Sequence, residues 1–392
     1  MTTDPRRLPY WRLSAFYLFY FAILGAMVPY WTVFLRARGM SAFEIGQLMA
    51  VGTLTRIVAP WASAWLGDRA RQRVAVVRLS ALLMTLVFCG MFVAHGFWQV
   101  ALITAAFGFF WNAALPQFEI VTLGHLGSAG NLYGRIRLWG SVGFIGVVLG
   151  GGWLLERAGI ETLLLVLLAT MGGTFISSLL VPDRAGAPAV QARASLRVAL
   201  RHPAALGFLA AAFLMQTSHG PYYAFYSILL EDLGYARTAV GALWALGVVA
   251  EVAMFLALAR LLPRLGAARV FMASLLLAGG RWLLIGHGAP ALGWLLPAQL
   301  LHAASFGAFH VAALAQVQRF FPGALQGRGQ ALYSGLCMGG GGAVGGVLSG
   351  VLWDGLGAAR VFELAALTAL LGAAVWAWLS RYASAPASVA TE

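Results

Sequence analysis

Residues 44–57 are EIGQLMAVGTLTRI and residues 239–252 are AVGALWALGVVAEV, and the two stretches match when the chain is shifted by 195 residues. In this register Gly46 and Gly52 fall on Gly241 and Gly247, and Arg56 falls on Glu251. The same shift places Gly25, Gly39, Gly134, Gly140, Gly150 and Gly151 on Gly220, Gly234, Gly329, Gly335, Gly345 and Gly346. An internal repeat of this length predicts two similar halves, and glycines allow helix backbones to approach closely in lipid.

The composition of the 392-residue chain is that of a membrane protein. Hydrophobic residues make up 61% of it and charged residues only 10%, whereas a soluble domain has about 25% charged residues. The mean hydropathy is +0.82, so lipid must be the solvent for most of the surface. The net charge of +13 does not indicate a nucleic-acid-binding protein, because all 26 basic residues are arginines scattered between apolar runs.

Twelve apolar stretches are long enough to cross a bilayer, which takes about 20 residues. They predict an all-α membrane protein with spans at 12–36, 43–66, 74–94, 98–124, 135–156, 161–181, 205–230, 238–262, 270–287, 291–319, 328–353 and 359–381. The longest polar connection follows span six. We therefore expect an N-terminal six-helix bundle (1–181), a cytoplasmic linker (182–204), a C-terminal six-helix bundle (205–383) and a disordered tail (384–392).

The distribution of arginine predicts the orientation. With the N-terminus inside, 19 arginines lie in cytoplasmic segments, among them Arg69, Arg135 and Arg137, and two lie within spans. The outer loops contain only Arg36, Arg38, Arg157, Arg237 and Arg360. Because positive residues stay on the cytoplasmic side, we expect both termini inside, in a bacterial inner membrane.

No motif indicates an enzyme, a cofactor or a metal site. Cys89 and Cys337 lie in apolar stretches, where burial as small hydrophobes is expected. Residues 340–345, GGGAVG, fit the G-x-G-x-x-G pattern, but no strand precedes them, so close helix packing explains them better. The sequence has no Walker A motif, so ATP does not drive the protein directly. We expect a lipid-embedded monomer that binds a small organic solute and protons, and no nucleic acid.

Two parallel halves of six helices are the architecture of the major facilitator superfamily. The loop LGDRARQR (66–73) resembles that superfamily's signature between helices two and three. In the superfamily this loop latches the inner gate, so the resemblance implies a gating role for Asp68 and Arg69. The alternative is a basic loop that only sets the topology.

Four longer strings resemble the phenylpropionate permease family of proton symporters. They are YGRIRLWGSVGF (133–144), QTSHGPYYAFYS (216–227), WALGVVAE (244–251) and FHVAALAQVQRFFPGALQGRGQALYSG (309–335). The likeness runs over essentially the whole chain, and it implies proton-coupled symport of an aromatic carboxylic acid by alternating access. Symport of a nucleoside or sugar, and efflux of drugs or metabolites by proton antiport, remain as alternatives.

Ionisable residues within a membrane are costly and therefore indicate function. Glu251, Arg281 and His310 stand on spans eight, nine and ten, and they resemble the proton-handling set of lactose permease, which implies that they couple transport to protons. Several alternatives remain open. Arg56 and Glu251 could form a structural ion pair, Arg281 could hold the charge of Glu251 or snorkel, and His310 could be a packing histidine.

We expect the substrate to lie between the halves. Asn112, Pro116 and Glu119 share one face of span four at helical spacing, and aromatic side chains with an arginine or histidine suit a ring that carries a carboxylate. For the tyrosines of span seven, a place in the interfacial aromatic belt is the alternative. The candidate substrate-binding residues are Arg56, Asn112, Glu119, Gln216, His219, Tyr222, Tyr223 and Tyr226.

Overall fold

The computed structural model describes residues 8–70, 72–182 and 199–384, and in these ranges the chain is helical without a strand. The helices are α1 (Tyr10–Ala37), α2 (Ala42–Ala70), α3 (Arg73–Cys89), α4 (Phe97–Leu126), α5 (Tyr133–Ala158), α6 (Leu163–Leu180), α7 (Pro203–Ser218), α8 (Gly220–Asp232), α9 (Arg237–Leu265), α10 (Ala267–Gly288), α11 (Leu292–Leu300), α12 (Phe309–Phe320), α13 (Gln326–Leu332) and α14 (Gly342–Leu379). Two π-helical segments, Ala303–Ala308 and Tyr333–Gly341, join α11 to α12 and α13 to α14.

Parts of the sequence-based prediction fall outside the described residues. These are most of the cytoplasmic linker, the C-terminal tail after residue 384 and the side chain of Asp68. The division into an N-terminal bundle, a linker and a C-terminal bundle accordingly stays a prediction at those boundaries.

The predicted all-α membrane fold with twelve spans is confirmed. Nine helical stretches of the described ranges are long and apolar enough to cross a bilayer. The last of them, Gln326–Tyr382, contains two spans, because Gly357 with φ of +75° interrupts the helix. The helix α2, 29 residues long, and the consecutive helices α7 and α8 account for the other two predicted spans.

Span seven is not the continuous helix that its apolar run predicts. It consists of α7 and α8, which meet at His219. Pro221 is the second residue of α8, and its ring nitrogen has no hydrogen to donate to the preceding helical turn. The proline therefore fits the first turn of α8 and separates it from α7.

The contacts between residues divide the chain into two compact units. The first contains the described residues up to 182 together with Tyr222–Ala245 and Ser349–Val351. The second contains the described residues from 199 to Pro221, Leu246–Leu348, and those from Leu352 onward.

In the first unit, α1 packs against α5 through glycines, and α4 packs against α2 and α3. A Cβ atom on Gly25 would lie 2.6 Å from the carbonyl oxygen of Phe144, and one on Gly143 would overlap the carbonyl of Leu18. Only a residue without a side chain allows the two backbones to come this close. Glycine therefore sets the distance between α1 and α5.

In the second unit, glycines likewise allow close backbone contact between α7 and the segment that follows α13. A Cβ atom on Gly341 would lie 2.6 Å from the carbonyl oxygen of Phe213, and one on Gly345 would overlap the backbone of Thr217. The hydroxyl of Thr217 also donates to the carbonyl oxygen of Gly341, at 3.2 Å. The prediction that GGGAVG (340–345) serves helix packing is confirmed.

Five charged residues form an ionic cluster in the first unit, near the ends of α1 and α5 and the connection between α8 and α9. Arg36 contacts Asp232 at 2.5 Å and Glu231 at 3.3 Å. Arg237 contacts Glu231 at 2.7 Å, and its backbone N–H donates to Glu156 at 2.6 Å. Both arginines were predicted in outer loops, and the cluster joins the segment Tyr222–Ala245 to the ends of α1 and α5.

The glycine contact between α1 and α5 can be tested by adding one methyl group. We expect Gly143→Ala to lower the free energy of unfolding by about 1–3 kcal/mol, because α1 and α5 must move apart. The matched control is Gly146→Ala on the same helix, where a new Cβ meets no atom within 4 Å. That change should be neutral or stabilising by up to about 1 kcal/mol, because alanine favours helix. Thermal unfolding of the purified variants decides, and equal melting temperatures would contradict the proposed contact.

Candidate functional site

The carboxylate of Glu251 on α9 lies 3.5 Å from Nε2 of His302, a residue that directly precedes the first π-helical segment. The side chain of Glu251 is 15% exposed and that of His302 is 5% exposed. Two glycines make room for the pair. A Cβ atom on Gly307 would lie 2.9 Å from Cγ of Glu251, and one on Gly247 would lie 3.4 Å from Cδ2 of His302.

A column of three rings continues from this pair along the chain. The imidazole of His302 stacks on Phe306 with ring centroids 5.3 Å apart, and Phe306 stacks on His310 at 6.5 Å. The π-helical segment Ala303–Ala308 lies within this column. Such segments are rare and often occur at functional sites.

His310 links the column to the second π-helical segment. Its Nδ1 lies 3.3 Å from the hydroxyl of Tyr333, the first residue of Tyr333–Gly341. His310 also interacts electrostatically with Glu251. The carboxyl of Glu251 therefore acts on two imidazoles, one in direct contact and one further along the column.

Arg281 on α10 is fully buried in the second unit and does not snorkel to an aqueous surface. Its Nε donates to the carbonyl oxygen of Ala298 at 2.9 Å, and one terminal nitrogen donates to the hydroxyl of Ser305 at 3.2 Å. Its charge acts on His219 and His302. His219 donates from Nδ1 to the carbonyl oxygen of Met215 at 2.8 Å, and its ring lies edge-on to that of Trp282, with the centroids 4.8 Å apart.

The predicted proton-coupling residues Glu251, Arg281 and His310 therefore belong to one polar cluster of the second unit. The sequence analysis missed His302, although the rule that singled out Glu251 applies to it equally, since it is an ionisable residue within a predicted span. Its spacing of eight residues from His310, with Phe306 midway, places all three on one side of a helix. That spacing was the available signal.

The predicted substrate-binding residues are divided between the two units. Gln216 and His219 belong to the second unit, and Arg56, Asn112, Glu119, Tyr222, Tyr223 and Tyr226 belong to the first. The three tyrosines surround Trp244. The ring of Tyr222 lies 4.5 Å from that of Trp244 and 5.0 Å from that of Tyr226. Tyr222 and Tyr226 are fully covered by protein, which argues against a place in the interfacial belt.

Two polar residues of α4 have defined partners in the first unit. The side-chain amide of Asn112 donates to the hydroxyl of Thr55 at 2.9 Å, and Glu119 accepts a hydrogen bond from the hydroxyl of Tyr133 at 3.2 Å. Both residues are half-buried, as expected for one shared face of α4. Arg56 is exposed and interacts electrostatically with Tyr20 on α1.

The predicted gating loop is described only in part. The guanidinium of Arg69 lies 5.4 Å from the ring of Trp65, one turn earlier on α2. Close by in the sequence, Arg73 donates to the side-chain oxygen of Gln117 on α4 at 2.7 Å, and Gln117 contacts Ser63 on α2 at 3.4 Å. These contacts tie α2, α3 and α4 together, and a latching role for Asp68 and Arg69 stays a prediction.

Comparison with known proteins identifies the chain as a secondary transporter of the major facilitator type. The chain belongs to the MFS_1 like family, whose model matches residues 10–364. It is 33% identical over 368 residues to the probable 3-phenylpropionic acid transporter of Escherichia coli (strain K12), covering 91% of this chain and 94% of that protein. It is thus a multi-pass protein of the inner membrane and a transporter, not an enzyme.

Two further comparisons, one of sequence and one of structure, show similarity to other transporters. The maltose permease of Geobacillus stearothermophilus is 28% identical over 334 residues, which cover 82% of this chain and 83% of that permease. The crystal structure of the nucleoside transporter NupG superposes with a TM-score of 0.84 over 95% of this chain and 99% of NupG. The sequence identity to NupG is 16%, so that comparison shows the shared fold alone.

The buried guanidinium of Arg281 allows a test that does not depend on transport. We expect Arg281→Gln to lower the free energy of unfolding by about 2–4 kcal/mol, because the carbonyl of Ala298 and the hydroxyl of Ser305 lose charge-assisted hydrogen bonds in a buried place. The control is Arg360→Gln, whose side chain is 71% exposed and pairs with Glu363. Loss of such an exposed pair should leave the free energy of unfolding nearly unchanged. The melting temperatures of the two variants test this prediction. Equal melting temperatures would contradict it.

Proposed function

We propose that the protein imports a small aromatic carboxylic acid together with protons, by alternating access. The observation that carries the proposal is the pair of Glu251 and His302, a carboxyl and an imidazole 3.5 Å apart within membrane-spanning segments. A buried charge in lipid is costly, and a retained one indicates an ion or proton pathway.

The chemistry of this pair suits proton coupling. With one proton between them, the carboxyl and the imidazole carry no net charge, whether as an ion pair or as two neutral groups. Adding a second proton or removing the first changes the net charge by one in a low-dielectric place. Proton binding and solute binding can then be linked through the same electrostatic field, and His310 offers a second imidazole at the far end of the ring column.

The proposed substrate class rests on the relatives and on the aromatic residues. The relative with 33% identity is named as a probable 3-phenylpropionic acid transporter. Aromatic side chains near half-buried arginines would hold an aryl ring and its carboxylate. A sugar is the second candidate, because the maltose permease is 28% identical to this chain.

We also propose that the chain works as a monomer with both termini in the cytoplasm. The excess of arginine on that side supports the orientation. Arg36, Arg157, Arg237 and Arg360 then lie on the outer side, and the ionic cluster around Glu231 faces outward.

Uptake into proteoliposomes tests the proposed function. With the lumen alkaline to the outside, we expect labelled 3-phenylpropionate to accumulate above its external concentration, because inward proton flow drives it. An ionophore that collapses the pH gradient should reduce uptake to equilibration. The same vesicles should be offered maltose and uridine. Accumulation of either of these instead would overturn the substrate class, and uptake that ignores the gradient would overturn proton coupling.

Two variants test the proton pair. We expect Glu251→Gln and His302→Gln each to abolish accumulation, by about tenfold or more, while exchange of labelled for unlabelled solute persists because it needs no net proton movement. His287→Gln is the control, since that histidine is more than half exposed and pairs with Glu363 at 3.0 Å. Undiminished accumulation by either test variant would remove that residue from the proton pathway.

A further inference from the structure

A cavity of about 80 Å³ lies in the first unit, beside the connection from α1 to α2 and that from α3 to α4. Phe34 and Val100 contribute apolar walls, whereas Met40, Met91 and His95 contribute two thioether sulfurs and an imidazole. The volume is enough for a few water molecules. Neither the proposed proton pair nor the proposed substrate residues line this space, so the transport function proposed above does not account for its lining.

The backbone is held by hydrogen bonds at each of the three donor residues. The N–H of Met40 donates to the carbonyl oxygen of Leu35 at 3.1 Å, which closes the end of α1. Met91 lies in a 3₁₀ turn directly after α3, and this turn is closed by its own hydrogen bond. The N–H of His95 donates to the side-chain oxygen of Gln99 at 2.7 Å. The three side chains therefore project from fixed points, which is what a preorganised ligand site requires.

The donor atoms around the cavity favour a soft metal ion. Met91 and Met40 are buried, with 1% and 8% of their surface exposed. His95 is exposed, and its imidazole makes no hydrogen bond within the described residues. Thioether sulfur is polarisable, and together with imidazole it suits Cu(I). Among the described residues that line the cavity there is no carboxylate, which is the ligand that Ca²⁺ and Mg²⁺ need.

Arg38 also lines the cavity, and its charge is balanced. Its guanidinium donates to the two carboxylate oxygens of Glu161 at 2.9 Å and 2.6 Å, and this hydrogen bonding raises the pKa of Arg38. The guanidinium carbon lies 5.0 Å from the ring centroid of Phe34. Because the ion pair carries no net charge, it repels a bound cation only weakly, and less for one positive charge than for two. A monovalent ion is therefore favoured over a divalent one.

We propose that Met40, Met91 and His95 bind one Cu(I) ion through two thioether sulfurs and one unprotonated imidazole nitrogen. The flexible methionine side chains can adjust to the ion, while the turns that carry them stay in place. The site lies at the end of the first unit that the arginine distribution predicts to face outward, so copper reaches it without crossing the membrane. This inference does not rest on the proposed function, since the site is separate from Glu251 and His302 and involves no transported solute.

Competition with a Cu(I) chelator tests the site. The purified full-length protein is titrated against bicinchoninate under anaerobic, reducing conditions, and the absorbance of the chelator reports the copper that it retains. We expect the unsubstituted protein to bind one equivalent of Cu(I). Met91→Leu and His95→Gln should each weaken binding by about tenfold or more, and leucine keeps nearly the volume of methionine, so the fold is preserved. Met84→Leu is the matched control, because Met84 is a buried methionine of α3 that does not line the cavity; its affinity should be unchanged.

Three results would overturn the inference, and none of them bears on aromatic acid transport. The first is absence of Cu(I) binding by the unsubstituted protein, and the second is equal affinity of Met91→Leu or His95→Gln and the unsubstituted protein. The third concerns Cys89, an exposed thiol at the end of α3: loss of binding in Cys89→Ala would assign the copper to that thiol. The X-ray absorption spectrum of the copper-loaded protein gives a measurement without a variant. It should show sulfur and nitrogen neighbours, and a shell of nitrogen alone would contradict the site.

Discussion

A bilayer offers no water to the backbone, so each main-chain N–H and C=O that crosses it must find a partner within the chain. This constraint produces the helices, and it also decides how they pack. Burial of apolar surface does not drive helix association in lipid, so close backbone approach does much of the work. Gly25 and Gly143 bring α1 to α5, and Gly341 and Gly345 bring α7 to its neighbour in the second unit. Irregular backbone is kept where protein covers it, as in Tyr333–Gly341, whose residues Tyr333 and Cys337 are fully buried.

In lipid, a charge inside the protein is costly. The described residues stabilise such charges in three ways. Arg281 donates to a backbone carbonyl and a hydroxyl, and needs no anion. Glu251 has an imidazole beside it, so its charge can be neutralised by moving a proton. Arg137 lies on aromatic rings. The first arrangement does not depend on protonation, the second does, and the third places the charge against the electrons of an aromatic ring.

Sequence patterns predicted the spans well, since a run of about 20 apolar residues has few alternatives. The register of 195 residues likewise pointed to glycines such as Gly25 and Gly220, which meet neighbouring backbones in the structure. The sequence patterns did not show which side chains contact each other across neighbouring helices. Glu251 and His302 are 51 residues apart in the chain, and Arg137 looked like one more basic residue near a helix start. The π-helical segments and the break at His219 also escaped, because they depend on tertiary packing and on single residues such as Pro221 rather than on periodicity.

The ring of Phe306 lies between the imidazoles of His302 and His310, and this stacking has a spectroscopic consequence. Protons held over the face of an aromatic ring resonate upfield of their usual positions, so these two imidazoles should stand apart in the NMR spectrum of a protein with only seven histidines. Any movement of the helix that slides Phe306 away from one of them would shift that signal alone. The chain thus carries its own reporter of motion at this point, without an attached label.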